Sequence, residues 1–263
     1  MTGTTAAASP PAAGRPGRHF DFLDGAPGCL GKTLVPIAGR PDALPGRLLI
    51  EPGGTALLLD ACRRARPEVT DRVLVSLWSR YLFLAVVPPV ILTLLLARRS
   101  LPLHPTETGV VLDESGWPAA IALRGAGVPG AVAAGPDESL APLFRTYLEP
   151  VVEGLAAGGG LAPRILWGNV AHYLDWVAGR LDGLGAPSLA GEFAAMLRRP
   201  VWSRGGRNPT WGLLRRVPGR AKPVRAVCCL LRQIPGGTTC GGCPFERRND
   251  TIPRLAEGDN PSH

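Results

Sequence analysis

Cysteine is scarce in this sequence, with six residues among 263. A chain of this length can bury enough apolar surface to fold without disulfide bonds, so cysteine pairing is not needed for stability. The N-terminal residues lack the apolar run that follows a basic start in a secretory signal. We therefore expect a cytoplasmic protein in a reducing compartment, where clustered cysteines hold metal more often than they form disulfides.

Acidic residues are absent from a long C-terminal stretch. No Asp or Glu occurs between Phe193 and Phe245, whereas ten basic residues do. The rest of the chain carries 19 basic and 21 acidic residues, so this stretch holds the whole surplus behind the net charge of +8. Positive charge of this density attracts anionic partners. Few aromatic residues are interleaved with it, which argues against nucleic acid as the partner.

Nucleotide and membrane signals are also missing. No Gly-x-Gly-x-x-Gly lies between a predicted strand and helix, so the protein is not expected to bind NAD(P)H or flavin itself. The longest apolar run, residues 81–97, is uncharged but interrupted by Pro88-Pro89. We interpret it as a pair of buried helices rather than a span, which allows at most peripheral contact with the inner face of the cytoplasmic membrane.

Hydrophobic periodicity predicts a mainly helical α+β protein, with a multi-helix body, a small β-hairpin and an irregular C-terminal segment. Helices are expected near residues 55–66, 68–85, 89–99, 139–158, 163–181 and 188–199, and the hairpin at 110–123. Four regions follow: a disordered tail (1–44), the helical body that would bind substrate (45–220), a metal-binding segment (221–248) and a flexible C-terminal tail (249–263). We expect the metal-binding segment to fold back onto the body.

Four of the six cysteines lie within sixteen positions, as Cys228-Cys229, a ten-residue spacer, then Cys240 and Cys243. Structural zinc sites usually draw on two Cys-x₂₋₄-Cys knuckles, and only the second pair has that form. A [2Fe–2S] cluster takes four thiolates, two per iron, and no histidine lies closer than His263 to replace one. We predict a [2Fe–2S] cluster, with zinc or dithiol chemistry as alternatives. Cys29 and Cys62 are expected to be bystanders.

The motif Cys-Cys-x₁₀-Cys-x₂-Cys resembles that of the FhuF-type ferric-siderophore reductases, and the helices at 72–103 and 143–181 are similar to that family's body. The resemblance implies a [2Fe–2S] protein that reduces Fe(III) in a siderophore and releases Fe(II). A separate donor, a ferredoxin or an NAD(P)H-dependent reductase, would supply the electron. Trp167 and Asn169 are then candidate substrate contacts, although a buried core role is the stronger expectation for such residues. Arg225 and Arg232, beside the cysteines, are further candidates.

Two other functions stay open from the sequence alone. Zinc could tie down a basic segment that binds nucleic acid or a protein partner. The chain could also be a non-catalytic siderophore-binding protein related to siderophore synthetases, whose helical regions look alike. Those synthetases lack the cysteine motif, so its presence argues against that interpretation.

Overall fold

One long helix forms the centre of the protein, whose computed structural model describes residues 32–129, 135–203, 205–220, 222–237 and 239–245. The helices are α1 (Gly54–Leu58), α2 (Asp60–Ala65), α3 (Asp71–Leu95), α4 (Pro136–Pro142), α5 (Glu149–Gly159), α6 (Pro163–Leu181) and α7 (Pro187–Leu197). A π-helical turn at Leu143–Leu148 joins α4 to α5, and 3-10 turns lie at Gly46–Leu49, Pro105–Glu107 and Leu231–Gln233. The prediction of a mainly helical protein is confirmed.

In the described part of the chain, eight short strands accompany the helices, and four of them form one sheet. The strands are β1 (Leu34–Pro36), β2 (Leu44–Pro45), β3 (Arg99–Ser100), β4 (Gly109–Leu112), β5 (Pro118–Leu123), β6 (Val128–Pro129), β7 (Leu214–Arg215) and β8 (Val224–Arg225). The order in the main sheet is β1-β5-β4-β2, and β3–β6 and β7–β8 form two small antiparallel pairs. Strands β4 and β5 are antiparallel, with Val110 opposite Ile121, which confirms the predicted hairpin.

Helix α3 corrects one prediction. The sequence was interpreted as two helices broken at Pro88-Pro89, yet α3 runs through both prolines without interruption. Each proline in a helix interior costs about 3 kcal/mol. Burial of the helix on nearly all sides outweighs that cost, because 18 of its residues are buried.

The same helix is the one described helix that is long and apolar enough to cross a membrane. Within its most apolar 18-residue window, 83% of the residues are buried inside the protein. It packs against β5, α5 and α6, so its apolar surface is covered by the protein itself. This burial is that of a core helix, and apolar residues on all of its faces explain why the sequence resembles a span.

The N-terminal boundary also differs from the prediction. The disordered tail is predicted to extend to residue 44, but β1 lies within it and β2 begins at its last residue. Strand β1 pairs in parallel with β5, Leu34 opposite Ile121. A three-residue strand is too short to show alternation, and its partner lies far along the chain, so the sequence carried no local signal for it. Residues 1–31, with Cys29, and residues 246–263 lie outside the described part.

Two helices differ from their predicted bounds. The helix expected to begin at Ser139 begins at Pro136, and the Ser139 hydroxyl donates to the Gly135 carbonyl at 3.1 Å. The helix expected at 55–66 is divided into α1 and α2. The predicted end of α5 in the glycine run is confirmed, since Gly160 takes the left-handed conformation there, with φ of 60°.

Two helical glycines test the packing of the body. An added Cβ at Gly154 of α5 would collide with the Leu49 carbonyl oxygen, whereas one at Gly179 of α6 meets open space. We expect Gly154→Ala to lower the free energy of unfolding by at least about 2 kcal/mol, because the helix must move from its neighbour. Gly179→Ala should raise it by about 0.5–1 kcal/mol through helix propensity. Urea denaturation measures both, and equal effects would contradict the packing described.

Candidate metal centre

The cysteine segment is anchored on a short hairpin. Strands β7 and β8 pair with Leu214 opposite Arg225, and the Arg225 N–H donates to the Gly242 carbonyl at 2.8 Å. The Cys243 N–H donates to the Cys240 carbonyl at 2.9 Å, which closes the Cys-Gly-Gly-Cys loop into a tight turn. A Cβ on Gly242 would lie 2.6 Å from the Pro223 carbonyl oxygen, so a glycine is needed for the loop to lie against β8.

Three of the four thiols are buried together. Cys229, Cys240 and Cys243 pack against one another with at most 7% of each residue exposed, and Cys228 is half-buried beside them. The chain turns sharply after the adjacent pair at Leu230, whose φ of 64° is unusual for a residue with a side chain. This turn brings the Leu230 N–H to within 3.3 Å of the Cys228 sulfur. The turn therefore keeps Cys228 next to the three buried thiols, and the binding of a metal by all four stays a prediction.

Helix α3 makes direct contacts with the cysteine segment. The Ser76 hydroxyl donates to the Cys229 carbonyl at 2.8 Å, and the Arg80 guanidinium lies 3.8 Å from the Cys229 sulfur. These contacts show that the C-terminal segment folds back onto the helical body, as expected. Neither Ser76 nor Arg80 was anticipated from the sequence, although polar residues at 76, 79 and 80 interrupt an otherwise apolar helix and were a usable signal.

Arg225 is a buried cation whose side-chain hydrogen bonds go to neutral acceptors. It is 1% exposed, and its Nη1 donates to the Gly168 carbonyl at 2.8 Å and to the Asn169 side-chain oxygen at 2.9 Å, both neutral acceptors. Its Nε and Nη2 are buried and have no hydrogen-bond partner. Burial lowers the pKa of the Arg225 guanidinium, and the negative charge of Cys229 and Cys240 raises it. A buried guanidinium of this kind is costly unless negative charge is placed beside it.

The pKa values of the thiols also reflect the positive charge that lies close to them. Cys229 accepts a hydrogen bond from Cys240, which lowers the pKa of Cys229 and raises the pKa of Cys240; Arg225 and Arg80 also favour the Cys229 thiolate. Burial, followed by Arg225, Arg80 and Lys222, lowers the pKa of His172 to about 4. His172 is therefore neutral at physiological pH. Positive charge converges on the place where the thiols meet.

Four cysteines are a donor set that either zinc or a [2Fe–2S] cluster can use. Among the described residues, no three His, Cys, Asp or Glu side chains converge closely enough to hold one metal ion. A tetrahedral zinc site needs four ligands around one point. A [2Fe–2S] cluster would divide four thiolates between two irons and would place negative charge beside the buried Arg225.

The four candidate substrate residues fall into two groups. Trp167 is buried and stacks on Phe144, with ring centroids 6.1 Å apart, and Asn169 is fully buried between α6 and α3. Arg225 is enclosed as described, so these three side chains face the interior. Arg232 is exposed, and its guanidinium lies 4.7 Å from the ring centroid of Phe245. Of the four, Arg232 alone is accessible to a bound substrate.

The model of the family described as ferric iron reductase FhuF-like transporter matches residues 76–221. That match covers more than half of the chain. The chain belongs to this FhuF-like family. A curated relative, described as ferric siderophore reductase from Escherichia coli (strain K12), is 25% identical over 177 residues, which is 67% of each chain.

The FhuF-like match includes α6 and most of α3 but ends before the four cysteines. Membership therefore rests on the helical body, and the metal-binding role of the cysteines stays a prediction. Cys62, expected to be a bystander, is fully buried in α2 with its sulfur 3.2 Å from the Gly116 carbonyl oxygen. Burial raises the pKa of the Cys62 thiol to about 11, so it stays protonated and is a poor metal ligand.

Asn169 joins the FhuF-like body to the cysteine segment. Its Nδ2 donates to the Ser76 carbonyl and the Ser79 hydroxyl, both at 3.0 Å, and its Oδ1 accepts from Arg225. We expect Asn169→Ala to lower the free energy of unfolding by about 3 kcal/mol, because it leaves buried polar groups unpaired. Urea denaturation measures this change.

A matched variant separates stability from metal binding. Asn208 is equally buried, but its hydrogen bonds go to Leu197, Arg199 and Thr210. Asn208→Ala should be similarly destabilised yet keep its metal during dialysis, whereas Asn169→Ala should lose metal faster. Equal retention of metal by the two variants would argue that Asn169 has no part in holding Arg225 at the site.

Proposed function

We propose that the protein is a ferric-siderophore reductase that holds a [2Fe–2S] cluster through Cys228, Cys229, Cys240 and Cys243. The observation that carries the proposal is the buried, unpaired Arg225 guanidinium beside three buried thiols. The Nε and Nη2 of this cation have no hydrogen-bond partner, and an all-cysteine iron–sulfur cluster would add negative charge beside the Cys229 thiolate. The family and the name of the E. coli relative support iron reduction as the context.

When bound, the cluster supplies one-electron chemistry. Fe(III) is held tightly by the hard oxygen ligands of a siderophore, and Fe(II) much more weakly. The reduced protein would pass one electron to the Fe(III) of a bound complex, so that the protein is oxidised, the iron becomes Fe(II), and no bond to the protein forms. A one-electron donor, a reduced ferredoxin or an NAD(P)H-dependent reductase, restores the reduced protein.

The positive residues have two roles in this proposal. Arg80 and Arg225 lie against the thiols and stabilise the additional negative charge of the reduced state. Arg232 is exposed and lies near Cys228, where its charge offsets part of the rise that burial causes in the pKa of the Cys228 thiol. It is therefore placed to attract an anionic ferric complex or an acidic electron donor. The reaction belongs in the cytoplasm, where such donors and a reducing environment occur.

The test is anaerobic purification with iron and sulfide analysis, followed by stopped-flow mixing of the reduced protein with several ferric siderophores. We expect a brown protein with two irons and two sulfides per chain, bleached by dithionite and reoxidised by a ferric complex faster than by buffer. A colourless protein with one zinc per chain would support the alternative of a zinc-stabilised basic module. An iron–sulfur protein that no ferric complex reoxidises would overturn the reductase assignment.

A further inference from the structure

A cleft of about 380 Å³ lies beside the cysteines and has no assigned role. It is lined by Tyr81 and Trp117, by Arg66 and Leu77, and by Leu231, Ile234, Pro235, Gly236 and Gly237. Residues 231–237 belong to the spacer between Cys229 and Cys240. We call this cavity the Trp117 cleft.

We propose that the Trp117 cleft binds one face of the ferric–siderophore complex, and that the spacer between the two cysteine pairs is its wall. This inference rests on the proposed function and assigns the substrate site to it. The spacer then has two tasks, since it links the ligands and carries the surface that the substrate touches.

Leu231 connects the cleft to the thiols. It lines the Trp117 cleft and also packs against the group formed by Cys229, Cys240 and Cys243. A single side chain therefore separates a ligand in the cleft from the sulfur atoms. Outer-sphere electron transfer needs this closeness and needs no direct bond to the iron.

The larger cavities are less suitable. In the described part of the chain, a cavity of about 740 Å³ is lined by the C-terminal end of α3, around Leu94, and another of about 460 Å³ by Phe144 and Trp202. Neither is lined by residues 224–245. Along α3, Leu94 lies roughly 27 Å from Ser76 at about 1.5 Å per residue, and Ser76 is the residue that touches the Cys229 backbone.

The lining suits one face of a rigid chelate complex. The rings of Tyr81 and Trp117 lie 5.1 Å apart between centroids, and Tyr81 is 46% exposed, so both offer aromatic surface to a ligand. Among the described residues that line the cleft, Arg66 alone carries a charge. The volume is at the lower end of the range for small-molecule pockets, about 300–1,000 Å³, so the cleft holds one face of a complex rather than enclosing it.

Gallium(III) complexes test the site without electron transfer, because Ga(III) matches Fe(III) in charge but is not reduced under these conditions. Binding of the Ga(III) complexes of a tris-hydroxamate and of a tris-catecholate siderophore to the cluster-loaded protein is measured by calorimetry. We expect Tyr81→Ala to weaken binding of both about tenfold. Arg66→Gln should weaken the trianionic tris-catecholate complex more than the tris-hydroxamate complex, and the visible spectrum should be unchanged in both variants.

Matched controls lie outside the cleft. Trp211 is 49% exposed and Arg164 is exposed at the start of α6, so Trp211→Ala and Arg164→Gln remove similar groups elsewhere. If cleft and control variants bind alike while the wild type still reduces ferric complexes, the site assignment is wrong and the reductase function stands. If no Ga(III) complex binds and no ferric complex is reduced, the proposed function fails, and this site with it.

Discussion

Replacing any one of Cys228, Cys229, Cys240 or Cys243 by serine is expected to reduce iron and sulfide per chain at least about tenfold, because each supplies one of four thiolate ligands in the proposed cluster. The loss follows from the geometry of the site. Three of the thiols are buried together, and the fourth is held beside them by the turn at Leu230. Serine binds iron weakly in place of a thiolate, since it keeps its proton at neutral pH.

The matched control is Cys62→Ser. Cys62 is as buried as the candidate ligands, and its sulfur contacts the Gly116 carbonyl, to which a serine hydroxyl can also donate. We expect Cys62→Ser to keep the iron, the visible absorbance and the rate of ferric reduction of the wild type. Iron retained by two or more of the four ligand variants, or an equal loss in Cys62→Ser, would contradict the assignment of these four ligands.

The sequence predicted those parts of the fold that local chemistry determines. The hairpin of β4 and β5 was found because its turn is encoded within a few residues, where Asp113 accepts from the Ser115 and Trp117 N–H groups and Gly116 takes a φ of 84°. Helix α6 was found for a similar reason, since Pro163 begins it and its apolar residues recur at helical spacing. The parallel pairing of β1 with β5 was missed because it joins residues almost ninety positions apart.

In the candidate site, too, the sequence predicted local features but not contacts between distant residues. The spacing of the cysteines indicated that they would lie together, because a short chain segment connects them. The role of Asn169 as a bridge could not be predicted, because its partners Ser76 and Arg225 are 93 and 56 positions away. Arg225 and Arg232 were equivalent in the sequence, and only the packing of α6 against the cysteine segment makes one a buried cation and leaves the other exposed.

Replacing Arg225 by methionine is expected to lower the reduction potential of the cluster-loaded protein by on the order of 100 mV. Two unit charges about 6 Å apart interact by about 3 kcal/mol at an effective dielectric constant near 20, and about 59 mV corresponds to a tenfold change for one electron. The reduced cluster carries one more negative charge than the oxidised cluster. Removing the cation therefore destabilises the reduced state more, and the reduction potential falls. Methionine has a similar length and leaves the fold without an unpaired charge.

Two further variants serve as controls for Arg225→Met. The reduction potential of each variant is measured by spectroelectrochemical titration. Arg225→Lys keeps the charge and should retain most of the potential. Arg216→Met removes an exposed cation from the same basic stretch, one that pairs with Asp175 at 2.7 Å, and screening should limit its effect to about 20 mV. If Arg225→Met shifts the potential no more than Arg216→Met, the buried guanidinium does not face the cluster. The unpaired Nε and Nη2 would then need another anion, and the main physical argument for an iron–sulfur centre at these cysteines would be lost.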